Sequence, residues 1–463
     1  MKTSKPLKVT LVSVSDPVIY GNPLALGCLK TYADSVLKKR AAVTIRECGI
    51  ELSLKDPAAA AAAILGDKPR VVGFSCYIWN ALAVISLCRE LKRSSPSTRI
   101  ILGGADATAR GAAVLKDSLA DILVRGEGEL TFTELLSRFL AGKPWAGTPG
   151  TVALADGLPV EGPPRPVIEN LDIIPSPYLA GLFDSGDYHY FVHETSRGCP
   201  FRCKYCVWSN RGGVRTFSLE RVRSELDWLA ARAPLDVGQR DDRNIFRVFV
   251  TDQDLLMQGR RAREVLRYVR SGTEGRFMRW IIHCDLRYWD RATAAAADYG
   301  KFLFCFGVQS LDRRVLRLAG RTPLPPGELK KRLALVKKYA PKANVVFQLM
   351  LGLPGDTPAG FLKSLRGCLK ACDRVRLPRV NNPLRAGVQV FHTAVFPNTQ
   401  FEKDAAKFGM EWDRNPPYLI KRLDGFEEKD FARCYKEMRD PKYSAEGITG
   451  ASRIMIGVHG RLI

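Results

Sequence analysis

Two successive series of short apolar runs, each followed by a helix-like stretch, constrain this 463-residue chain more than any other feature. In the first series the strand-like runs are Val9–Val14, Ala42–Arg46, Val71–Tyr77, Ile100–Gly104 and Asp121–Arg125. Helical stretches separate them, at Pro23–Leu37, Pro57–Leu65, Ala81–Lys92 and Ala112–Leu119, and Glu129–Leu140 closes the series. Strands alternating with helices at this spacing predict a parallel, doubly wound sheet, whose ligands sit at the carboxyl ends of the strands. The second series begins near Tyr190, with strands at Phe191–Thr195, Ile245–Thr251, Arg279–Cys284, Phe302–Val308, Asn344–Leu351 and Gly387–Phe391. Six βα units are consistent with a partial barrel, whose functional groups also collect at strand ends. The expected organisation is an α/β domain over 1–142, a Gly-, Pro- and Ala-rich linker over 143–188, a barrel over 189–400 and a mostly helical region over 401–463.

The loop after the first strand of the second series reads Arg197-Gly-Cys-Pro-Phe-Arg-Cys-Lys-Tyr-Cys-Val-Trp208. Cys199, Cys203 and Cys206 fall within eight residues, in a segment crowded with Gly, Pro, Arg and Lys that reads as a loop and not as core. Three thiolates can wrap one metal centre, whereas iron–sulfur clusters are normally held by four cysteines. A [4Fe–4S] cluster on three ligands keeps one iron open. Of the remaining cysteines, Cys368 and Cys372 are one helical turn apart with no nearby partner, and packing explains them.

The C-x3-C-x2-C loop resembles that of radical S-adenosylmethionine (SAM) enzymes. Gly307-Val-Gln-Ser310 and Gly352-Leu-Pro-Gly-Asp356, at the ends of the fourth and fifth barrel strands, match the signatures of the same family. The first domain resembles the cobalamin-binding domain fused ahead of the barrel in B12-dependent radical SAM proteins. That likeness rests on Val71-Val-Gly-Phe-Ser-Cys-Tyr-Ile-Trp-Asn80, Ile101-Leu-Gly-Gly-Ala-Asp106 and Asp121-Ile-Leu-Val-Arg-Gly-Glu-Gly-Glu-Leu130. The Asp-x-His-x-x-Gly segment is missing, and His189 is the first histidine of the chain. The resemblance therefore implies base-off cobalamin with no His ligand from this domain, or a domain that has lost the cofactor.

The resemblance places the cluster on Cys199, Cys203 and Cys206. It places SAM against Tyr205, Asp252, Gln253, Asp285, Arg287, Gln309, Ser310 and Gly352, and cobalamin against Ser75, Tyr77, Gly103, Gly104, Gly126 and Glu127. Asp252, Gln253 and Asp254 could equally cap the next helix, Gln309 and Ser310 could merely close a turn, and His283 reads as a satisfied core histidine. Trp208 and Asn210 could face SAM or shield the cluster. Cys305 stands where several relatives carry a carboxylate. Asn398 replaces a glycine in the sixth-strand turn, and Asn tolerates the left-handed conformation needed there. His392 is a candidate acid/base or substrate residue, with a turn hydrogen bond as its alternative.

The implied activity is reductive cleavage of SAM to a 5′-deoxyadenosyl radical and methylation of an unactivated carbon in a small molecule or peptide, with an electron donor of flavodoxin or ferredoxin type. A cobalamin-dependent ring contraction, cyclisation or other rearrangement, RNA modification, and a non-enzymatic cobalamin or iron–sulfur protein are the alternatives. The net charge of +23 is uneven: Lys and Arg against Asp and Glu number 22 to 20 over residues 1–200 but 49 to 28 beyond. Such asymmetry can mark an anionic partner, but no basic run is interleaved with aromatics, and a basic soluble surface is the simpler reading. With no signal peptide and no apolar stretch long enough for a membrane span, the expected location is cytoplasmic.

Overall fold

The apolar runs of the first series become strands buried on both faces, as a parallel sheet covered by helices requires. In a computed structural model of the chain, residues 5–16, 21–184, 188–208, 213–236, 245–375, 386–440, 454–458 and 461–462 are described. They form two units, Met1–Val192 and His193–Ile463.

The first unit is built on β1 (Leu7–Ser15), β2 (Ala41–Gly49), β3 (Val71–Ser75), β4 (Arg99–Gly103) and β5 (Ile122–Val124), paired in parallel in the order β2-β1-β3-β4-β5. This is the flavodoxin-like order, in which the crevice opens where the winding reverses, between β1 and β3. Alternation splits the strands between two cores. Val12, Val72, Phe74 and Leu102 pack with α3 (Pro57–Leu65) and α4 (Ala81–Ser94); Val9, Leu11, Val71 and Ile101 pack with α1 (Leu24–Leu37) and α7 (Glu129–Leu140). The segment read as a linker contributes structure of its own. β6 (Thr151–Ala155) and β7 (Leu158–Glu161) extend the sheet antiparallel beyond β5. Its short, Gly-flanked strands carry too little periodicity to stand out from a loop.

The second sheet runs β8 (Tyr190–His193), β11 (Phe246–Val250), β12 (Met278–Cys284), β13 (Phe302–Gln309), β14 (Asn344–Leu351), β15 (Ala386–His392), β18 (Ile454–Val458) and β19 (Arg461–Leu462) in spatial order. The pairs from β11 to β18 are parallel. β9 (Ser196–Arg197) and β10 (Arg215–Thr216) form a small antiparallel pair at the start and end of the cysteine loop. Helices α8 (Leu219–Arg232), α9 (Arg260–Gly272) and α13 (Pro358–Val375) are among those interposed between strands. An aromatic layer fills the sheet beneath them, with Trp289 edge-on to Phe304 and Phe306 at ring distances of 4.9 and 5.2 Å.

The described residues beyond 400 differ from the expected helical region. Helix α15 (Glu428–Met438) is present, but β16 (Glu411–Trp412) and β17 (Ile420–Arg422) form a hairpin-like pair, and β18 joins β15 in parallel. The run Ile454-Met-Ile-Gly-Val458 is a short apolar stretch, and short apolar runs do not distinguish strand from helix. Among the described residues no helix is long and apolar enough to cross a membrane.

Candidate cluster and cofactor sites

The cysteine loop is held by contacts that its own sequence does not reveal. Asp252, buried just past β11, accepts hydrogen bonds from the Thr195 and Ser196 backbone N–H groups at 2.7 and 3.2 Å. It also accepts from both hydroxyls, at 2.5 and 2.7 Å, and from Gln258 Nε2 at 2.9 Å. A carboxylate offers about four lone-pair sites, so these donors saturate it. The structure thus spends Asp252 on the entry to the loop and leaves it no capacity for SAM.

Further along, Gly198 adopts φ +104, and a Cβ there would run into the Gly213 carbonyl. The turn from Cys203 to Cys206 closes through Cys206 N–H donating to Cys203 O at 3.1 Å. It is gripped from both sides: Lys204 N–H donates to Ala319 O (3.0 Å), Lys204 O accepts from Phe401 N–H (3.1 Å), and Lys204 Nζ meets Asp404 at 2.9 Å.

Cys199 and Cys203 are buried, Cys206 is half-buried, and all three are free thiols. Among the described residues no three His, Cys, Asp or Glu groups converge as a cage for one ion. Ligands of a cubane sit on different irons and need not converge on a point, so a cluster does not require such a cage. The surrounding chemistry fits as well. Trp208 N–H donates to Cys206 Sγ at 3.4 Å, and Arg321 Nη1 lies 3.7 Å from Cys203 Sγ. N–H groups and a cation beside the sulfurs are what an anionic cluster requires, and they tune its potential. Asn210 lies outside the described residues.

Arg321 is the residue that sequence reasoning missed. Its guanidinium is 2.7 Å from Asp285 Oδ2, 2.8 Å from Gly307 O and 3.3 Å from Tyr205 Oη. Burial alone would lower its pKa, but Tyr205, Asp285 and Cys203 raise it further, so the cation is permanent. Arg287 also pairs with Asp285 at 3.0 Å and lies over Phe201, 5.2 Å from the ring centroid. A cavity of about 330 Å³ opens among Cys203, Asp285, Arg287, Gly320 and Arg321. Arg321 follows α11 (Arg313–Leu318) in a segment rich in arginine. Nothing local marks it, because its partners Asp285, Gly307 and Tyr205 are distant in sequence.

The other expected SAM residues divide. Tyr205 and Asp285 belong to this cluster of groups. Burial, with Asp285 beside it, pushes Asp254 up to about 8, and its carboxyl accepts from Leu256, Met257 and Asp285 N–H. Asp254 is therefore a cap that also ties two strand ends together. Gln253 Oε1 is buried and has no hydrogen-bond partner among the described residues, so it could accept from a cofactor donor. Gln309 sits at a register shift in the β13–β14 pairing with φ +65, a strained conformation that non-glycine residues adopt at functional sites. Ser310 is buried and accepts Asp312 N–H, closing the turn as the alternative reading had it. Gly352 faces Phe431 and Ile420, which a Cβ would overlap or crowd. Asn398 adopts φ +60.

His392 has both ring nitrogens engaged. Nε2 donates to Ile420 O at 2.7 Å, since a carbonyl can only accept, and Nδ1 then accepts from Tyr435 Oη at 2.6 Å. The ring lies flat on Phe431 at 4.7 Å, and burial lowers its pKa. This joins a strand end to α15 and gives no free acid or base.

In the first unit the expected cobalamin loops line the carboxyl edge. Asn80 organises one of them, accepting Tyr77 N–H and donating to Val14 O and Ser75 O across the crevice between β1 and β3. Tyr77 stacks on half-exposed Trp79 at 4.5 Å. Gly104, at φ +96, passes so close to Cys76 that a Cβ would collide with its carbonyl. Space beside Gly126 is open, as it nearly is beside Gly103. Such an edge can accept a large flat ligand. Glu127 accepts Ile168 N–H at 2.8 Å, so one of its oxygens is engaged within the protein.

The comparisons with known proteins agree with this geometry. The B12 binding domain family matches residues 29–136 and the Radical SAM superfamily matches 193–367. The chain is 27% identical over 365 residues to 2-(S-pantetheinyl)-carbapenam-3-carboxylate methyltransferase of Streptantibioticus cattleyicolor, covering 75% of this chain and 51% of that protein. The cobalamin-dependent radical SAM methyltransferase TokK of Streptomyces tokunonensis is similar at the same identity and coverage. The chain thus spans about half the length of these curated relatives. Among solved structures, the radical SAM methyltransferase TsrM from Kitasatospora setae, with cobalamin and a [4Fe–4S] cluster bound, has a TM-score of 0.65 at 18% identity, covering 94% of this chain and 86% of that one. Fold and matches together define a two-domain protein in which a B12-binding unit precedes a radical SAM barrel. The chain thus carries a B12-binding domain followed by a radical SAM domain.

Proposed function

We propose that this protein is a cobalamin-dependent radical SAM methyltransferase acting on an unactivated carbon of a small-molecule or peptide substrate. The observation that carries the reading is the cysteine loop, clamped at its base by Asp252 and at its turn by Lys204, in a chain whose residues 29–136 match the B12 binding domain family. The names of the curated relatives, methyltransferases in both cases, support it.

Cys199, Cys203 and Cys206 would hold the cluster, which supplies the electron that cleaves SAM. The protein's own part is binding and placement. Arg321, cationic and buried beside Cys203, would hold the SAM carboxylate, displacing its present contact with Tyr205. Gln253 Oε1 would accept a donor from SAM, and Gln309 would present its amide from the strained strand end. Ser75, Tyr77, Gly103, Gly104 and Gly126 would line the cobalamin, base-off and without a histidine from the α/β domain over 1–142, since the first histidine of the chain is His189. An acidic one-electron donor of flavodoxin or ferredoxin type would suit the basic second half, and the location would be cytoplasmic.

The test is anaerobic reconstitution with iron, sulfide, hydroxocobalamin and SAM. It should give about four irons per chain, a base-off cobalamin spectrum, and 5′-deoxyadenosine with reductant. Iron retained at that level in the Cys199→Ala, Cys203→Ala, Cys206→Ala protein would overturn the cluster assignment.

A further inference from the structure

Strand alternation divides the side chains of the second sheet between two faces. Val250, Trp280, Ile282 and Phe302 lie against Leu226 of α8 and Val265 of α9, which marks the helix-covered face. The opposite, inner face carries His283 of β12 directly across from Cys305 of β13. One step nearer the strand ends, the in-register set is Gly307, Gln348 and Gln389. The Gly307 carbonyl is the one that Arg321 grips, and Arg321 lines the cavity beside the cysteine loop, so the upper tier adjoins that cavity through this bond.

His283 is not the satisfied core histidine its apolar flanks suggest. Its side chain makes no hydrogen bond to any described residue, and among those residues its ring contact is with Phe249, at 5.1 Å. His283 keeps partial exposure, so its ring nitrogens can still meet an incoming group. Burial pushes its pKa down to about 4 and that of Cys305 up to about 12, so the pair is uncharged near neutrality. Above them Gln348 Nε2 donates to Gln389 Oε1 at 2.9 Å. That bond leaves Gln348 Oε1 as an acceptor and Gln389 Nε2 as a donor. The two tiers therefore offer a neutral imidazole with one donor and one acceptor, a thiol, and the outer ends of an amide pair.

We propose that His283, Cys305, Gln348 and Gln389 form a substrate-binding site for an uncharged group bearing both a hydrogen-bond donor and an acceptor, an amide above all, with His283 the specificity-determining residue. The assignment rests on the reading of the second unit as the SAM-cleaving one, since it places this group beside the site of cleavage. A carboxylate or ammonium would enter a neutral tier without a counter-ion and lose its hydration.

The probes are N-acetylphenylalaninamide and its anionic counterpart N-acetylphenylalanine, titrated calorimetrically into the reconstituted, SAM-bound protein. The amide should bind more tightly than the carboxylate. His283→Phe keeps the ring and its contact with Phe249 but removes both nitrogens, and should weaken the amide about fivefold, the effect of one hydrogen bond of about 1 kcal/mol. His283→Gln should restore most of that loss. Equal amide affinity in wild type and His283→Phe, a preference for the carboxylate, or no saturable binding of the amide would overturn the proposal. Iron content and 5′-deoxyadenosine formation, measured on the same samples, should not change in either variant. Their absence in the wild type would instead refute the proposed function.

Discussion

Replacing Asp252 with alanine tests whether this carboxylate holds the cluster loop or binds SAM. The substitution removes the acceptor for two backbone N–H groups, at Thr195 and Ser196, together with two hydroxyls and the Gln258 amide. Hydroxyls and the amide can rotate to new partners, but the two backbone groups cannot. A buried donor left without an acceptor costs about 1–3 kcal/mol, so two of them imply about 4 kcal/mol of local destabilisation. At about 1.4 kcal/mol per factor of ten, the opening equilibrium of this segment should rise roughly a thousandfold. Asp252→Asn keeps one oxygen for both backbone groups, and the hydroxyls can rotate to accept from the new amide, so its cost should be near 1 kcal/mol. Native-state hydrogen exchange at the Thr195 and Ser196 amides measures the opening, and iron content after anaerobic gel filtration measures retention of the cluster. Wild-type exchange and full iron in Asp252→Ala would refute the argument. If SAM affinity alone fell in that protein, Asp252 would be the SAM contact that its motif suggests.

Arg321→Lys should retain iron but weaken SAM binding about ten- to a hundredfold, because an ammonium cannot reproduce the planar fork; equilibrium dialysis with labelled SAM measures it. Gly104→Ala places a Cβ against the Cys76 carbonyl at φ +96. It should destabilise the first unit by about 2–4 kcal/mol and reduce cobalamin retention, read by denaturation and absorbance. His283, depressed to about 4, binds fewer protons folded than unfolded between about pH 4 and 6.5. Its contribution should be fully present above about 6.5 and fall as the pH drops towards 4, by about 1–3 kcal/mol. Comparison of wild type with His283→Gln in acid denaturation isolates this effect. His392→Ala should cost about 2–4 kcal/mol through lost packing on Phe431 and two lost hydrogen bonds, while the pH profile of SAM cleavage stays as in wild type.

Much of the scaffold can be read from local spacing. The strands observed at Asn344–Leu351 and Phe302–Gln309 coincide with the apolar runs, within a residue. The three cysteines fall on one loop because Gly198, Pro200 and their charged neighbours admit little else, and Asn398 takes the left-handed turn its side chain permits. These are short-range matters, set by side-chain alternation and by which backbone angles a residue tolerates. Partnerships were settled only by tertiary structure. Asp252 was legible as a polar strand end, but its donors come from residues 56 and 57 positions earlier. Arg321 has no local signature, because its anionic neighbours arrive from other strand ends. His283 and His392 have similar apolar flanks, yet register leaves one partly exposed across from Cys305 and closes the other between Ile420 and Tyr435. Sequence determines which groups stand at the end of each strand; the register between strands decides which of them are already satisfied and which can still bind something else.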